Sequence, residues 1–447
     1  MSSDFSVSSL KKSFIGIFMS SQVMRYDNSL LFRFITNFVG TGCVQLAFLP
    51  SIFVNLYAED GVALLQDALT MSTLAPYLIE IGGFFPLVHR IGGTILSLFP
   101  LNYSAQIAAL FTLLCIAFLA SVIYQHSKTF LQRFDSRFVL VMFFLLNPIA
   151  NFNAVGSICN LYFYLMAAAA VLIVPKELTR KELISNSLVM LLAGLTNPLC
   201  LFLLPILFLF KVYEYRKKKI IAFGIPEVCL IVSIFVHFFM IWAIASRDRS
   251  PLLINSWKEV IYLTLDRVVG ISVIPFWGFV SGDENNPKFE NTIYPESLFF
   301  RGTIAITFIV LLIVAKFHNR ISWDKSWFFC VVFLFQSVLF SIFIGLTYNL
   351  EPRYAIFSTF TFIAFLIGFS ERSTRVLHKS ILFLLLVVLL SSLRLSSTLI
   401  DAPNWREEVK QAKRDCNMSN STTVKLQVSP TSARLYVTMP CKVLRYE

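Results

Sequence analysis

The stretch RKKKIIAFGIPEVCLIVSIFVHFFMIWAIA, residues 216–245, puts a run of cations directly before a long apolar segment. Four consecutive basic residues end at Lys219, and the segment that follows contains a single charged side chain, Glu227. About 20 predominantly apolar residues are enough to cross the hydrocarbon core of a bilayer as a helix. The stretch therefore predicts a membrane-spanning helix that begins at a basic loop.

The composition extends this prediction to the whole chain. Hydrophobic residues make up 56% of the 447 residues, charged residues only 14%, and the mean hydropathy is +0.71. Soluble domains carry about a quarter charged residues. A soluble fold of this size lacks the interior to bury so much apolar surface, so we expect a bilayer to solvate it. The net charge of +12 then belongs to loops near anionic lipid, and we expect no nucleic-acid partner.

Eleven apolar segments organise a predicted transmembrane domain over residues 30–399. They lie at 30–57, 102–124, 138–149, 156–174, 183–195, 199–210, 220–245, 302–315, 327–348, 355–369 and 380–399. Several are too short to cross a bilayer independently, and two short pairs are interrupted by Asn147-Pro148 and Asn197-Pro198. Non-helical backbone at that depth needs surrounding protein or a water-filled cavity. We predict an all-α polytopic membrane protein of about 11 transmembrane helices with an internal cavity.

The loops between these segments give the predicted orientation. Lys and Arg cluster at 128–137, 176–181, 211–219, 316–325 and 372–379, whereas the short turns at 151–155 and 196–198 carry none. Basic loops stay on the cytoplasmic side of a membrane. Residues 1–29 are then a cytoplasmic N-terminal segment, in which we find no removable signal peptide. An odd number of spans puts the tail, residues 400–447, outside together with two outer loops at 58–101 and 246–301.

The tail carries two of the eight cysteines, Cys416 and Cys441; the other six lie in apolar segments, where thiols behave as small hydrophobic groups. The predicted topology places the tail in an oxidising compartment, so we expect a disulfide between these two cysteines in preference to two free thiols. It would close a small β-rich appendage, because the alternation at 423–428 and 434–438 is typical of strands.

The sequence YAEDG at 57–61 places two adjacent carboxylates where the first apolar segment ends. A partly desolvated carboxyl group beside a second one has a raised pKa and is suited to act as a general base. Glu59 and Asp60 are therefore candidate catalytic residues, and Glu80, further along the same outer loop, is a candidate substrate-binding residue. The alternative is that the pair marks the membrane boundary and caps an amphipathic helix over 62–69.

Two basic constellations are candidates for binding a phosphate. His89 and Arg90 lie in the otherwise apolar stretch 82–98, where a cation usually faces a polar cavity or an anion. The sequence EPRY at 351–354 lies at the outer end of the ninth segment, and its proline restricts the turn before Arg353. A guanidinium suits a phosphate, and Tyr354 adds a ring face or a hydroxyl group. The alternative is an interfacial anchor that extends towards lipid headgroups.

Amides at the tips of the predicted hairpins form a further group: Asn147, Asn151, Asn153, Asn160 and Asn197. Amides bind sugar hydroxyls without burying a charge, and they equally satisfy the backbone of a broken helix. Because Asn147 and Asn197 each precede a proline, we expect those two to serve the backbone. Asn151, Asn153 and Asn160 are candidate substrate-binding residues.

The sequence contains no GxSxG, P-loop, HExxH or GxGxxG pattern in the required context, and its five histidines are widely spread. We therefore predict no metal ligands and no organic cofactor. A divalent cation held by oxygen ligands of the outer carboxylates stays an alternative.

Five stretches in this order carry a family resemblance: AEDGVALLQDAL (58–69), GGFFPLVHRIGGTILSLFP (82–100), LAGLTNPLCLFLLP (192–205), EPRYAIF (351–357) and NWREEVKQA (404–412). Their layout covers nearly the whole chain, and it resembles the GT-C superfamily of integral membrane glycosyltransferases. That superfamily includes bacterial serotype-converting O-antigen glucosyltransferases.

The resemblance implies a GT-C-like bundle in a bacterial inner membrane. It implies transfer of a hexose such as glucose from a polyprenyl-phosphate carrier to a lipid-linked or lipopolysaccharide glycan at the periplasmic face. Asp60 would be the general base, and Arg353, with Arg90, His89 and Tyr354, would bind the carrier phosphate. Single displacement would invert the anomeric carbon. A second Asp motif that completes a metal site in some branches is missing, so a metal-independent mechanism is expected.

Three other functions stay open on the sequence. An O-antigen polymerase or ligase would use the 246–301 loop, which contains Arg247, Arg249 and Arg267. A lipid or glycan transporter would show inverted repeats and ionisable residues near mid-span, and we find neither such a repeat nor a deep carboxylate in the sequence. A membrane scaffold without chemistry is the third.

Overall fold

The computed structural model describes residues 29–71, 74–81, 84–147, 156–219, 222–244, 268, 325–347, 355–392, 403–419, 421–429 and 435–446. These residues are mostly helical. The N-terminal residues 1–28, the apolar segment 302–315 and, apart from residue 268, the outer loop predicted at 246–301 lie outside the described part of the chain.

The α-helices of the described chain are numbered in order. They are α1 (Leu30–Phe48), α2 (Gln66–Thr70), α3 (Leu87–Ser97), α4 (Ser104–Ser127), α5 (Phe134–Leu145), α6 (Leu161–Leu172), α7 (Arg180–Thr196), α8 (Leu204–Lys218), α9 (Ile225–Ile244), α10 (Lys325–Thr347), α11 (Ile356–Glu371), α12 (Arg375–Ser392), α13 (Trp405–Met418) and α14 (Cys441–Tyr446). Strands β1 (Thr423–Gln427) and β2 (Tyr436–Pro440) pair antiparallel between α13 and α14, with Leu426 opposite Val437.

Several of these helices have the length and composition of membrane spans. Four meet both criteria within the described residues: Leu30–Phe48, Leu101–Ser127, Pro198–Arg216 and Ile225–Ala243. Shorter apolar helices lie at Ile158–Leu172, Phe328–Phe343 and Ile356–Glu371. The fold is therefore helical with membrane-spanning character, and the total of about 11 spans stays a prediction.

The first helix is shorter than the predicted segment at 30–57. It ends at Phe48 because Pro50 has no amide N–H with which to continue the hydrogen-bonding pattern. The chain then turns through a short 3-10 helix, Pro50–Phe53, and a π-helix follows at Asp60–Leu65. The acidic pair consequently lies beyond the first helix, at the start of the next helical stretch.

Local capping also moves the ends of α7. The helix begins at Arg180, before the predicted residue 183, because Thr179 and Glu182 form a capping box at its first turn. It ends before Asn197, whose side chain accepts the N–H of Leu199 at 2.9 Å. This contact agrees with the expectation that an amide preceding a proline serves the broken backbone.

Three of the five loops that the sequence marks as basic lie at one end of the bundle, here called the basic end and defined by residues 125–137, 174–182 and 371–378. The Glu371 carboxylate accepts the backbone N–H groups of Gln132 and Arg133 at 2.9 and 2.8 Å. Lys176 donates to the carbonyl of Gln125 at 3.3 Å. Loops separated by an even number of spans share a side of the membrane, and these contacts agree with that arrangement.

The first outer loop and the tail meet at the other end of the bundle. We call residues 403–446 the C-terminal appendage. Trp405 donates its backbone N–H to the Val54 carbonyl at 3.1 Å and its indole N–H to the Leu101 carbonyl at 2.7 Å. Ser429 donates its N–H to the Leu56 carbonyl at 3.0 Å. The two segments that were predicted to share a face are thus in direct contact.

The appendage contains more helix than the predicted β-rich fold. Its two strands lie close to the predicted positions, but α13 and α14 add a larger helical part. The reason is a helical spacing of apolar residues that precedes the strands: Trp405, Val409, Ala412 and Cys416 are all buried on one face of α13. Cys416 and Cys441 form a disulfide that joins α13 to α14.

We predict that Gly194→Leu lowers the thermal unfolding midpoint in detergent micelles more than Gly40→Leu does. A Cβ atom at Gly194 would overlap the Ser233 hydroxyl and lie 2.9 Å from the Ser233 Cβ, where α7 packs on α9. Overpacking of this kind costs about 1–3 kcal/mol. Nothing lies within 4 Å of a Cβ at Gly40, on α1. Equal midpoints for the two variants would show that the α7–α9 approach is not tight.

Candidate functional site

The carboxyl group of Asp60 is the centre of the candidate site. Its side chain is only 1% exposed. Oδ2 accepts the N–H of Ile158 at 3.0 Å, and Oδ1 accepts the N–H of Cys159 at 2.9 Å and the hydroxyl of Ser157 at 3.2 Å. The first amides of a helix have no carbonyl partner within that helix. Asp60, from the first outer loop, therefore caps the helical segment Ile158–Leu172.

Burial raises the pKa of Asp60 to about 7. Loss of water around the carboxyl group is the largest cause, and the amides of Cys159 and Ile158 oppose it because they stabilise the ionised form. The nearby charge of Glu59 raises the pKa further. A carboxyl group that titrates near neutral pH exchanges its proton in the physiological range, and the catalytic role of this position stays a prediction.

Glu59 differs from its neighbour in exposure. Its side chain is half-buried, whereas Asp60 is enclosed. Glu59 precedes the π-helix Asp60–Leu65, and Asp60 is its first residue. A π-helical turn is rare in proteins as a whole, but many of the known examples lie at functional sites. Because Asp60 is enclosed and Glu59 is half-buried, Glu59 is the more accessible member of the pair.

Arg90 holds the first outer loop against α3. Its side chain is 2% exposed. Nη1 donates to the Asp67 carboxylate at 2.7 Å and to the Ala63 carbonyl at 2.9 Å, and Nη2 donates to the Ile79 carbonyl at 2.9 Å. The sequence predicts a phosphate as the anion that Arg90 faces. In the structure that anion is Asp67, which accounts for a cation within an apolar stretch.

His89 is a neutral group in the structure. Its imidazole is 2% exposed and lies edge-to-face with the ring of Tyr162, with centroids 5.5 Å apart. Burial, assisted by the neighbouring Arg90 charge, lowers the pKa of His89 to about 3. The predicted contact with a carrier phosphate assumed a partial cation at this position. A neutral ring offers one N–H donor and one acceptor nitrogen, and it carries no charge.

The C-terminal appendage packs on the turn that carries the acidic pair. A Cβ atom at Gly61 would lie 2.8 Å from methyl groups of both Val428 and Val437, so only glycine allows this approach. One residue further along β2, the N–H of Thr438 donates to the Gln66 side chain at 2.8 Å. The appendage is therefore part of the wall of the candidate site.

The remaining predicted residues fall into two groups. Asn160 is fully buried directly after the amides that bind Asp60, and Glu80 is half-buried near the Ile79 carbonyl that accepts from Arg90. Asn147 donates to the Ile356 carbonyl at 3.5 Å, which agrees with a backbone role. The others lie outside the described residues: Asn151, Asn153, Arg353 and Tyr354.

Sequence reasoning missed three contributors. Asp67 is the next acidic residue after the pair in the stretch 58–69, seven residues after Asp60 and so on the same face of a helix. The sequence could therefore have indicated its involvement. Ser157 and Gln66 had none, because their roles depend on segments far apart in the chain. In the described part of the chain, no three His, Cys, Asp or Glu side chains form a group that could hold a metal ion.

We predict that Asp60→Asn removes a pH dependence of stability. A folded-state pKa of about 7 against 3.8 when unfolded means that the folded state holds the proton more tightly, so this contribution is full below about pH 4 and lost as the pH rises through 7. The wild-type unfolding midpoint should therefore fall between about pH 4 and pH 7 relative to that of Asp60→Asn and change little above that range.

The substitution should also lower the midpoint at every pH, because the Asn amide group opposes the N–H of Ile158 and leaves a buried donor without an acceptor, which costs about 1–3 kcal/mol. Asp415→Asn, on the appendage helix α13, is the matched control. Parallel pH profiles for the wild type and Asp60→Asn would contradict the raised pKa.

We predict that Trp405→Ala releases the appendage. Its indole is buried and donates to the Leu101 carbonyl, so truncation removes both the packing and the hydrogen bond, at a cost of about 3–5 kcal/mol. Limited trypsin digestion of the protein in nanodiscs should cut the appendage much faster than in the wild type. Tyr436→Ala, which removes an exposed aromatic ring from β2, is the control and should digest as the wild type does.

Comparison with known proteins identifies no relative of this chain. The chain matches no protein-family model, and no curated protein or solved structure matches it. The chemistry of the site is therefore inferred from its own residues together with the resemblance of its sequence motifs.

Proposed function

We propose that this protein is a membrane glycosyltransferase that moves a hexose from a polyprenyl-phosphate carrier to a glycan acceptor of the cell envelope, such as O-antigen. The observation that carries the proposal is the acidic pair, Glu59 and Asp60, which lies at the end of the bundle opposite the basic end. The pKa of Asp60 in this pair is raised to about 7. The described residues include helices long and apolar enough to cross a membrane, as an enzyme acting on a lipid-linked substrate requires.

The proposed reaction is a single displacement at the anomeric carbon. The acceptor hydroxyl forms the new C–O bond while the bond from the anomeric carbon to the phosphate oxygen breaks. The bonding electrons leave with polyprenyl phosphate, and the acceptor proton passes to a carboxylate. Because attack and departure occur on opposite faces of the sugar, the anomeric configuration inverts.

The two carboxyl groups have separate roles in this proposal. Asp60 caps the Ile158–Leu172 segment and holds the turn, whereas Glu59, half-buried beside it, accepts the proton of the acceptor hydroxyl. Burial raises the pKa of Asp60 and so favours its protonated, neutral form. When Asp60 is protonated, Glu59 carries the one negative charge of the pair. This assignment refines the prediction from the sequence, which favoured Asp60 as the base.

The departing phosphate needs cations aimed at the oxygens on which charge develops. Arg353 is the proposed ligand, with Tyr354 beside it, in the EPRY sequence that precedes α11. Arg90 contributes indirectly, since its contacts with Asp67 and two backbone carbonyls hold the loop that carries Glu59.

The test is a transfer assay with the purified protein in nanodiscs. The donors are synthetic polyprenyl-phosphate hexoses carrying a radiolabelled sugar, and the acceptor is lipopolysaccharide. We expect label in the acceptor with the wild type, and a loss of at least about 100-fold in Glu59→Gln or Arg353→Gln, which are the effects of removing a general base and a charge-stabilising group.

Glu407→Gln is the matched control, because Glu407 is an exposed carboxylate on α13 that pairs only with its helical neighbour Lys410 in the described chain. It should transfer at the wild-type rate. Full activity in Glu59→Gln with strong loss in Asp60→Asn, at matched folded yields, would return the role of base to Asp60. Absence of transfer from every hexose donor would overturn the proposed function.

A further inference from the structure

His89 carries a buried ring nitrogen that the proposed reaction does not use. Its Nε2 has no hydrogen-bond partner within the described residues, although the side chain is almost fully enclosed. Buried polar atoms without a partner are uncommon in native proteins, and each one requires an explanation. A ligand group that completes the hydrogen bond is one such explanation.

The surroundings of His89 are aromatic. Tyr162 lies edge-to-face with the imidazole, and Phe84 lies edge-to-face with Tyr162, with 5.9 Å between the two ring centroids. Both Tyr162 and Phe84 are partly exposed. The enclosed imidazole thus contacts Tyr162, and both rings of this aromatic pair are partly exposed.

A second histidine holds this aromatic pair in place. His237, on α9, stacks on the ring of Phe84 with centroids 6.5 Å apart, and its Nε2 accepts the backbone N–H of Phe85 at 3.3 Å. The backbone of Gly194 and Leu195 also interacts with this imidazole. His237 is therefore a positioning residue for the Phe84–Phe85 segment.

The aromatic pair and the acidic pair are linked by one short segment. Asp60 binds the amides of Ile158 and Cys159, and Tyr162 follows after one further helical turn. Ile158 also packs on Gly92, which lies on the same helix as His89. Four residues of helix at 1.5–2.0 Å per residue place Tyr162 about 6–8 Å along the helix axis from Ile158, whose amide binds Asp60.

The charge state of His89 selects the kind of group that it binds. Burial keeps the ring neutral at physiological pH, so its Nε2 provides one hydrogen bond, as donor or as acceptor, and no charge. A phosphate favours charged donors, whereas a hydroxyl group both donates and accepts and is satisfied by a neutral imidazole. Partly exposed aromatic rings beside a neutral hydrogen-bonding group suit a sugar ring better than a phosphate.

We propose that His89, Tyr162 and Phe84 form the subsite for the transferred sugar, in which Nε2 of His89 hydrogen-bonds one sugar hydroxyl group and the two rings cover an apolar face of the sugar. The identity of the ligand as a saccharide rests on the proposed function. The subsite reassigns His89 from the carrier phosphate to the sugar and adds two residues that the motifs had not singled out.

The test measures binding separately from transfer. The protein in nanodiscs is titrated with farnesyl-phosphate glucose and with a series of analogues that each lack one hydroxyl group. His89→Phe keeps the ring volume and removes the nitrogen, and His89→Gln restores a hydrogen-bonding group at a similar reach. We expect His89→Phe to weaken binding of the parent compound by about three- to tenfold.

The decisive result is coupling between His89 and a single hydroxyl group. One deoxy analogue should bind the wild type more weakly than the parent does, and that difference should disappear in His89→Phe and largely return in His89→Gln. His378→Phe, which alters a buried histidine of the basic end, is the control and should leave all dissociation constants unchanged. A histidine that serves only packing would weaken all analogues equally.

The outcomes separate the subsite from the proposed function. Hydroxyl-specific coupling without sugar transfer would support the subsite and overturn the glycosyltransferase activity. Sugar transfer without coupling in either His89 variant would overturn the subsite and leave the activity in place. Failure of the wild type to bind any of a panel of farnesyl-phosphate hexoses would overturn the subsite as a saccharide site.

Discussion

The hydrogen bonds from the Ile158 and Cys159 amides to Asp60 join the first outer loop to the helix bundle, and the geometry of the candidate site depends on them. Amides at the start of a buried helix need an acceptor, because no water replaces the missing carbonyl. Asp60 supplies that acceptor from a distant part of the chain. The enclosure that makes this contact possible also raises the pKa of Asp60. One carboxyl group is thus a structural cap and a titratable group near neutral pH.

The loop around Asp60 is held from two directions. On the bundle side, Arg90 binds Asp67 and two backbone carbonyls. On the other side, the C-terminal appendage reaches across the turn, and Gly61 accommodates the close contact with its strands. The disulfide between Cys416 and Cys441 keeps the appendage compact. Half-buried Glu59 therefore sits on a turn with little freedom to move, which suits a group that must meet a substrate at a defined position.

Part of the fold was predictable from local signals. Long apolar runs predict helices such as α4 and α9, and alternating clusters of Lys and Arg predict the loops of the basic end. The presence of two cysteines in the tail predicts the disulfide between them. Local signals failed where a nearby residue changes the backbone, as Pro50 does at the end of α1, or where two periodicities adjoin, as in the appendage. Glu59 and Asp60 could be selected from the sequence as candidate site residues because two adjacent carboxylates at the end of an apolar run are unusual in any topology.

The sequence by itself determined that this chain is helical and apolar, that its basic loops alternate along the chain, and that a small cysteine-bearing tail follows. These properties depend on composition and on spacing within one segment. Only the tertiary structure decided which anion Arg90 meets, that His89 is neutral, and that Asp60 rather than Glu59 is enclosed. Each of these depends on burial and on partners from other segments, and the free energy of a charge is set by the groups and the water around it.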